Sequence, residues 1–241
     1  MRDYKNELIR RVDFIRHVIK TSSSNGIVYG NSGGKDSTLV GILCKIACEN
    51  TIGIIMPCGS KINFNQDKSD AMVVAKQFDI ETRVVDLTEV RNTLIKASDG
   101  IIKLTEAAHS NIAPRLRMTT LYMVAASENR LVTGTGNKSE NYMGYFTKWG
   151  DGAYDFNPIA DLTVTEVLEF LRFLNVPDSI IEKAPSAGLY DGQTDESEMG
   201  VTYKSIDKFL LEGTTCEKDM LIIERYHSKS NHKRDLPYYL G

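Results

Sequence analysis

Six adjacent residues, Ser32-Gly33-Gly34-Lys35-Asp36-Ser37, put on one turn the groups that hold phosphate. Two glycines let backbone N–H groups approach an anion, two serines add hydroxyl donors, and Lys35 adds an ammonium. With Gly30-Asn31 before it, the turn follows the apolar Ile27-Val28-Tyr29 and leads into a helical pattern from Thr38 to Cys48. A strand-turn-helix order places the cradle at the carboxyl end of a strand, facing a helix N-terminus whose dipole favours negative charge. The motif is not a Walker A loop, which needs Gly where Tyr29 stands and Ser or Thr where Asp36 stands. A carboxylate inside a phosphate cradle repels its ligand unless a divalent cation lies between them, so Asp36 reads as a Mg²⁺ ligand. The competing reading is a glycine-rich turn with an Asp/Ser helix cap.

The elements that must position this turn follow from periodicity. Leu8, Ile9, Val12, Ile15 and Ile19 form the stripe of an amphipathic helix, ended by Ser22-Ser23-Ser24-Asn25-Gly26. Beyond the cradle, strands are predicted at 52–56, 82–87 and 130–133, and helices at 67–78, 88–97, 114–129, 165–174, 202–211 and 217–227. Short apolar strands separated by helices predict an α/β fold, an open doubly wound parallel sheet with helices on both faces. Periodicity disappears from Gly134 to Pro158 and again from Ala184 to Gly200. Long stretches of this kind inside a compact domain are functional loops or disordered ones, and the aromatics at 142–149 favour function.

Composition bounds the reading. The chain has 241 residues, 41% hydrophobic and 25% charged, with no Pro/Gly/Ser-rich linker, which predicts a single domain over 1–241. A net charge of −3 argues against a general nucleic-acid binder. No apolar run reaches the length of a membrane span and no signal-peptide core follows Met1, so a cytoplasmic location is expected. Cys44, Cys48, Cys58 and Cys216 contain no C-x-x-C pair and read as structural thiols, Cys44 and Cys48 facing the sheet.

Ser-Gly-Gly-x-Asp-Ser after the first strand resembles the PP-loop of the ATP pyrophosphatases, which cleave ATP between its α- and β-phosphates to adenylate a substrate oxygen. Gly134-Thr135-Gly136-Asn137-Lys138-Ser139-Glu140, Gly144 through Gly152, Asn157-Pro158-Ile159, Ala184-Pro185-Ser186-Ala187, Gln193-Thr194-Asp195-Glu196 and Gly200-Val201-Thr202-Tyr203 resemble the NAD synthetase family, and His232-Lys233-Arg234 resembles its basic C-terminal turn. The resemblance implies a Rossmann-like fold of the adenine nucleotide alpha-hydrolase type, without an amidase domain. It also implies amidation of deamido-NAD by free ammonia, with ATP as co-substrate, giving NAD, AMP and pyrophosphate in a homodimer that binds neither nucleic acid nor membrane.

Carried over residue by residue, it assigns ATP to Gly30, Asn31, Ser32, Gly33, Gly34, Lys35, Asp36, Ser37, Thr135 and Ser186, and Mg²⁺ to Asp36 with Glu140. Deamido-NAD falls to Arg115, Lys148, Asp155, His232 and Lys233, and Asp151 is expected to orient ammonia or take its proton. Three positions depart from the pattern. Val164 stands where a phosphate-contacting lysine is usual, Gly188 where an Asp is usual, and Met56-Pro57 where some members carry an arginine. Lys35, at the variable position of the loop, is expected to compensate for the first. The alternatives are another PP-loop adenylating enzyme acting on tRNA or a nucleotide, and a nucleotide-binding module without turnover.

Overall fold

In the computed structural model, which describes residues 2–59, 62–182, 194–235 and 237, the chain runs α1 (Tyr4–Ser22), β1 (Gly26–Gly30), α2 (Lys35–Ala47), β2 (Thr51–Ile55), α3 (Ile62–Gln77), β3 (Glu81–Val84), α4 (Thr88–Ala97), α5 (Glu106–Glu128), β4 (Arg130–Val132), α6 (Lys138–Met143), α7 (Val164–Phe173), α8 (Asp178–Ile181), α9 (Asp195–Met199), α10 (Tyr203–Glu212), α11 (Glu217–Lys229) and α12 (Asn231–Arg234). The four strands form one parallel sheet in the order β3-β2-β1-β4, the α/β architecture that the alternation of strands and helices predicts.

Alternation along β1 divides the core. Ile27 and Tyr29 point into one apolar layer with Ile15, Leu39, Leu43, Ile159 and Phe170, built from α1, α2 and α7. Val28 points into the other, with Ile52, Ile54, Val132 and Ala125 of α5. A third cluster, Met143, Val164, Met199, Val201, Tyr203, Ile206 and Ile223, binds α6, α7, α10 and α11 together beside the sheet. Tyr29 is wholly buried because two glycines make room for its ring: a Cβ at Gly41 would lie 2.4 Å from its Oη, and one at Gly53 3.0 Å from Cζ. Cys44 is buried in the first layer and Cys48 packs against it, both as core.

Two elements differ from the periodicity. The helix predicted from Pro114 starts at Glu106, where Thr105 caps it by accepting from the Ala108 N–H at 3.2 Å, and Pro114 lies in its interior. Proline is common in a first turn, which is why it reads as a start; here its buried ring backs the 147–152 loop, and a Cβ on Gly150 would fall 2.9 Å from it. The aperiodic 134–158 segment contains α6, too short to show a period but fixed by a capping box between Asn137 and Glu140. Asp195–Met199 is likewise a short helix inside the second aperiodic stretch.

Connections from β1 lead outward to β2 and β3, whereas β4 returns to the opposite side of β1. The carboxyl ends of β1 and β4 therefore flank a topological switch point, where open parallel sheets bind ligands. No helix among the described residues is long and apolar enough to cross a membrane.

Candidate functional site

A cavity of about 1260 Å³ opens at that switch point. On one side lies the turn after β1. Gly33 sits at φ +72°, a left-handed conformation that glycine adopts without a Cβ penalty. Gly34 caps α2 without a side-chain hydrogen bond, so no capping oxygen takes up the first amides of the helix. Ser32 and Ser37 bond each other through their hydroxyls at 3.0 Å, and Ser37 also donates to the Gly34 carbonyl at 3.0 Å, so both serines hold the loop's shape. Gly30, Asn31, Ser32, Gly34, Lys35, Asp36 and Ser37 line the cavity.

The loop after β4 supplies Thr135 and Gly136 to the opposite wall, and α6 supplies Glu140. Asn137, fully buried, ties the two walls together. Its side-chain amide donates to Asp36 Oδ1 at 3.1 Å, while its backbone N–H donates to Glu140 Oε2 at 3.0 Å. Burial and then the nearby Asp36 carboxylate push the Glu140 carboxyl well above the ordinary range. Two carboxylates held this way are a donor set for a hard divalent cation, and Mg²⁺ takes one or two protein carboxylates with the rest from phosphate and water.

Lys35 is 7% exposed, with its ammonium 3.4 Å from Asp36 Oδ2 and 5.6 Å from the centre of the Tyr203 ring. Burial alone would lower its pKa, but Asp36, Glu140 and Asp195 outweigh that and raise it, so the ammonium stays charged. Val164, at the first turn of α7, is buried against the cluster that contains Tyr203 and takes no part in the cavity wall.

Toward the far end, Asp151, Phe146, Asn111, Arg117 and Lys233 line the same cavity. Asp151 Oδ1 accepts from the Thr147 N–H at 2.8 Å. Its carboxyl is raised by burial, against the opposing effects of that hydrogen bond, Arg117 and Lys233. The Lys233 ammonium donates to the carbonyls of Gly144 and Phe146, each at 2.7 Å, and lies 5.4 Å from the Phe146 ring centre.

Of the residues assigned to deamido-NAD by resemblance, Lys233 alone is among the cavity lining. Arg115 is exposed and donates to the Lys148 carbonyl at 3.3 Å, and Lys148 donates to the carbonyl of His232. Asp155 accepts from the Val132 N–H at 2.7 Å and from the Tyr122 hydroxyl at 3.1 Å, anchoring the loop to β4. Ser186 and Gly188 lie outside the described residues.

Sequence reasoning missed three residues. Arg117 is two positions from Arg115, hence on nearly the opposite side of α5. Its Nε donates to the Met56 carbonyl at 3.1 Å, bringing a cation to the strand end where the arginine of some family members is missing. Asn137 was legible only as half of an N-x-x-E capping box. Asp207 carried no local signal. It is buried, and it accepts from Ser139 of α6 and from Thr165 of α7 through both the backbone N–H (2.7 Å) and the hydroxyl (2.6 Å).

Residues 7–237 match the NAD synthase family. The NH(3)-dependent NAD(+) synthetase of Carboxydothermus hydrogenoformans is 44% identical over 98% of this chain and 97% of its own. Among solved structures, the NMN synthetase from Francisella tularensis superposes with a TM-score of 0.93 at 36% identity, covering 100% of this chain and 99% of its own. The NH3-dependent NAD synthetase from Campylobacter jejuni superposes at 0.83 with 30% identity, covering both chains completely.

Proposed function

This chain belongs to the NAD synthase family, and on that premise we infer the reaction and the work of each side chain. It is an ammonia-dependent NAD synthetase, a ligase that converts deamido-NAD, ATP and ammonia to NAD, AMP and pyrophosphate. The observation that carries the reading is the Ser32–Ser37 cradle facing Glu140 and Asp151 across one cavity, in a chain that matches the family over nearly its whole length.

A carboxylate resists attack by an amine, so the nicotinate carboxylate must first become a better electrophile. Its oxygen attacks the α-phosphorus of ATP, the α–β bridging bond breaks, and pyrophosphate leaves. Backbone N–H groups of the cradle hold the departing pyrophosphate, and Arg117 and Lys233 present charge to the acceptor. Asp36 and Glu140 would hold a Mg²⁺ ion, which supplies positive charge to the polyphosphate. Ammonia then attacks the acyl carbon, AMP leaves with the C–O electron pair, and Asp151 takes the surplus proton. From α12, Lys233 and Arg234 add positive charge to the cavity wall.

Incubation with ATP, Mg²⁺, deamido-NAD and ammonium should release pyrophosphate and NAD in equal amounts. Pyrophosphate without NAD, or neither product, refutes the reading. The 0.93 superposition on a protein named NMN synthetase favours a second acceptor, nicotinate mononucleotide, which carries the same nicotinate carboxylate on a ribose phosphate. Comparing kcat/KM for the two acceptors decides between them. We further propose a homodimer, because α4 buries none of its residues and leaves Val90 and Leu94 exposed, as is Met123 on the neighbouring α5. Light scattering should give twice the 27.0 kDa chain mass, and Leu94→Lys should shift it toward the monomer.

A further inference from the structure

Three carboxyl groups crowd the cradle end of a cavity whose lining also carries six Lys or Arg side chains. Asp36, Glu140 and Asp195 all line it. Asp36 and Glu140 are drawn together by Asn137, and Asp195 is fixed by the Tyr203 hydroxyl at 3.0 Å. Among them lies one buried ammonium, that of Lys35, which faces all three carboxylates, 3.4 Å from Asp36 Oδ2 and near the face of the Tyr203 ring. Asp36 and Tyr203 confine the Lys35 head, and its stem is buried at the start of α2.

We propose that Lys35 is a built-in counter-ion that holds the cation position beside Asp36 and gives it up only when a divalent cation arrives together with a polyphosphate. The inference rests on the family reading for the identity of the metal–polyphosphate ligand. Its physical basis is local. A bare divalent cation approaching Asp36 meets the Lys35 ammonium already on the same oxygen, and the like charges repel at a few ångströms in a protein-walled cavity. Pyrophosphate or the β- and γ-phosphates of ATP bring several anionic oxygens, enough to take over the Lys35 ammonium while the metal binds Asp36 and Glu140. Lys35 then serves as a positioning residue for the polyphosphate. Metal and polyphosphate therefore bind as a unit, and free metal is excluded from the carboxylates.

The test measures Mn²⁺ binding by electron paramagnetic resonance at pH 8, with and without inorganic pyrophosphate, for the wild-type chain, Lys35→Met and Lys35→Arg. Wild type should bind Mn²⁺ at least tenfold more tightly when pyrophosphate is present. Lys35→Met should bind free Mn²⁺ at least tenfold more tightly than wild type and lose most of the pyrophosphate enhancement, whereas Lys35→Arg should keep the wild-type pattern. Equal Mn²⁺ affinity of wild type with and without pyrophosphate overturns the proposal, and that measurement needs no variant to fold. So does a Lys35→Met protein, folded by its circular dichroism, whose two affinities match those of wild type. None of these measurements involves deamido-NAD or ammonia, so failure of amidation and failure of the counter-ion are read separately.

Discussion

Replacing Asp207 by Asn tests how the third cluster holds the cavity wall that carries Glu140. The buried carboxylate receives three donors, the Ser139 hydroxyl and the N–H and hydroxyl of Thr165, and so clasps α10 to both α6 and α7 one residue from Glu140. Asparagine keeps the shape and one acceptor oxygen, which the fixed Thr165 N–H would claim. Its NH₂ would face Ser139, whose oxygen already takes a 3.4 Å contact from the Val164 N–H. A hydrogen bond to a charged group contributes about 1.5–3 kcal/mol and one between neutral groups about 0.5–1.5, so neutralising the acceptor should cost roughly 2–3 kcal/mol. For a chain of this size that is a fall in Tm of about 4–12 °C. Ser139→Ala should cost less in the Asp207→Asn background than in wild type, with a coupling of about 1 kcal/mol in the double-mutant cycle. Because α6 carries Glu140, the KM for ATP should rise while acceptor KM changes little. Calorimetry and steady-state kinetics on the four proteins check this. An Asp207→Asn protein melting within about 1 °C of wild type, or strict additivity with Ser139→Ala, would refute the clasp.

Other perturbations follow from the same geometry. Gly41→Ala puts a Cβ 2.4 Å from Tyr29 Oη; the overpacking, about 1–3 kcal/mol, should exceed the roughly 1 kcal/mol that Ala gains over Gly in a helix, and pushing α2 off β1 should raise the KM for ATP. Asp151→Asn should leave pyrophosphate release by single-turnover adenylation intact and slow amide formation. Since burial raises the Asp151 carboxyl, the wild-type amidation rate should fall with acid at a pH above the usual aspartate range, and a stopped-flow pH profile of the variant should lack that limb. Arg11 joins Glu7 (2.7 Å) and Asp161 (2.7 and 3.0 Å), tying α1 to the loop before α7; since Asp161 is largely exposed and Glu7 keeps Arg2 and Arg10, Arg11→Met should destabilise by about 1–2 kcal/mol in urea melts at pH 7. Burial works against the ionised forms of Asp161 and Glu166, but Arg11 for the first and Arg2 for the second hold their carboxyls below the ordinary 3.8 and 4.5. Their stabilisation is present above those ordinary values and lost as pH falls below them through the lowered ones; only the Asp161 part depends on Arg11, so the variant's deficit should shrink below about pH 3.8.

What the sequence determined by itself was local chemistry. Ser32-Gly33-Gly34-Lys35-Asp36-Ser37 between an apolar strand and a helix already reads as an anion cradle with a carboxylate inside it. The apolar alternation already specifies a parallel sheet, because both signals lie within a few adjacent residues. Glu140 was legible through the motif around it, and Pro114 misled because a proline marks a helix start and a tolerated interior kink with the same letter.

Only the tertiary structure decided which side chains share the cavity. Arg115 and Arg117 are two residues apart, yet the orientation of α5 turns Arg117 inward and leaves Arg115 outside. Asp207 lies 68 positions from Ser139 and 42 from Thr165, a juxtaposition that no local pattern encodes because it comes from packing α6, α7 and α10 on one another. Lys35, read from the sequence as a stand-in for the lysine absent at Val164, turned out to be buried among Asp36, Glu140 and Asp195, which three separate segments bring together. Residue type sets what a group can do; long-range packing sets the charges it must do it beside.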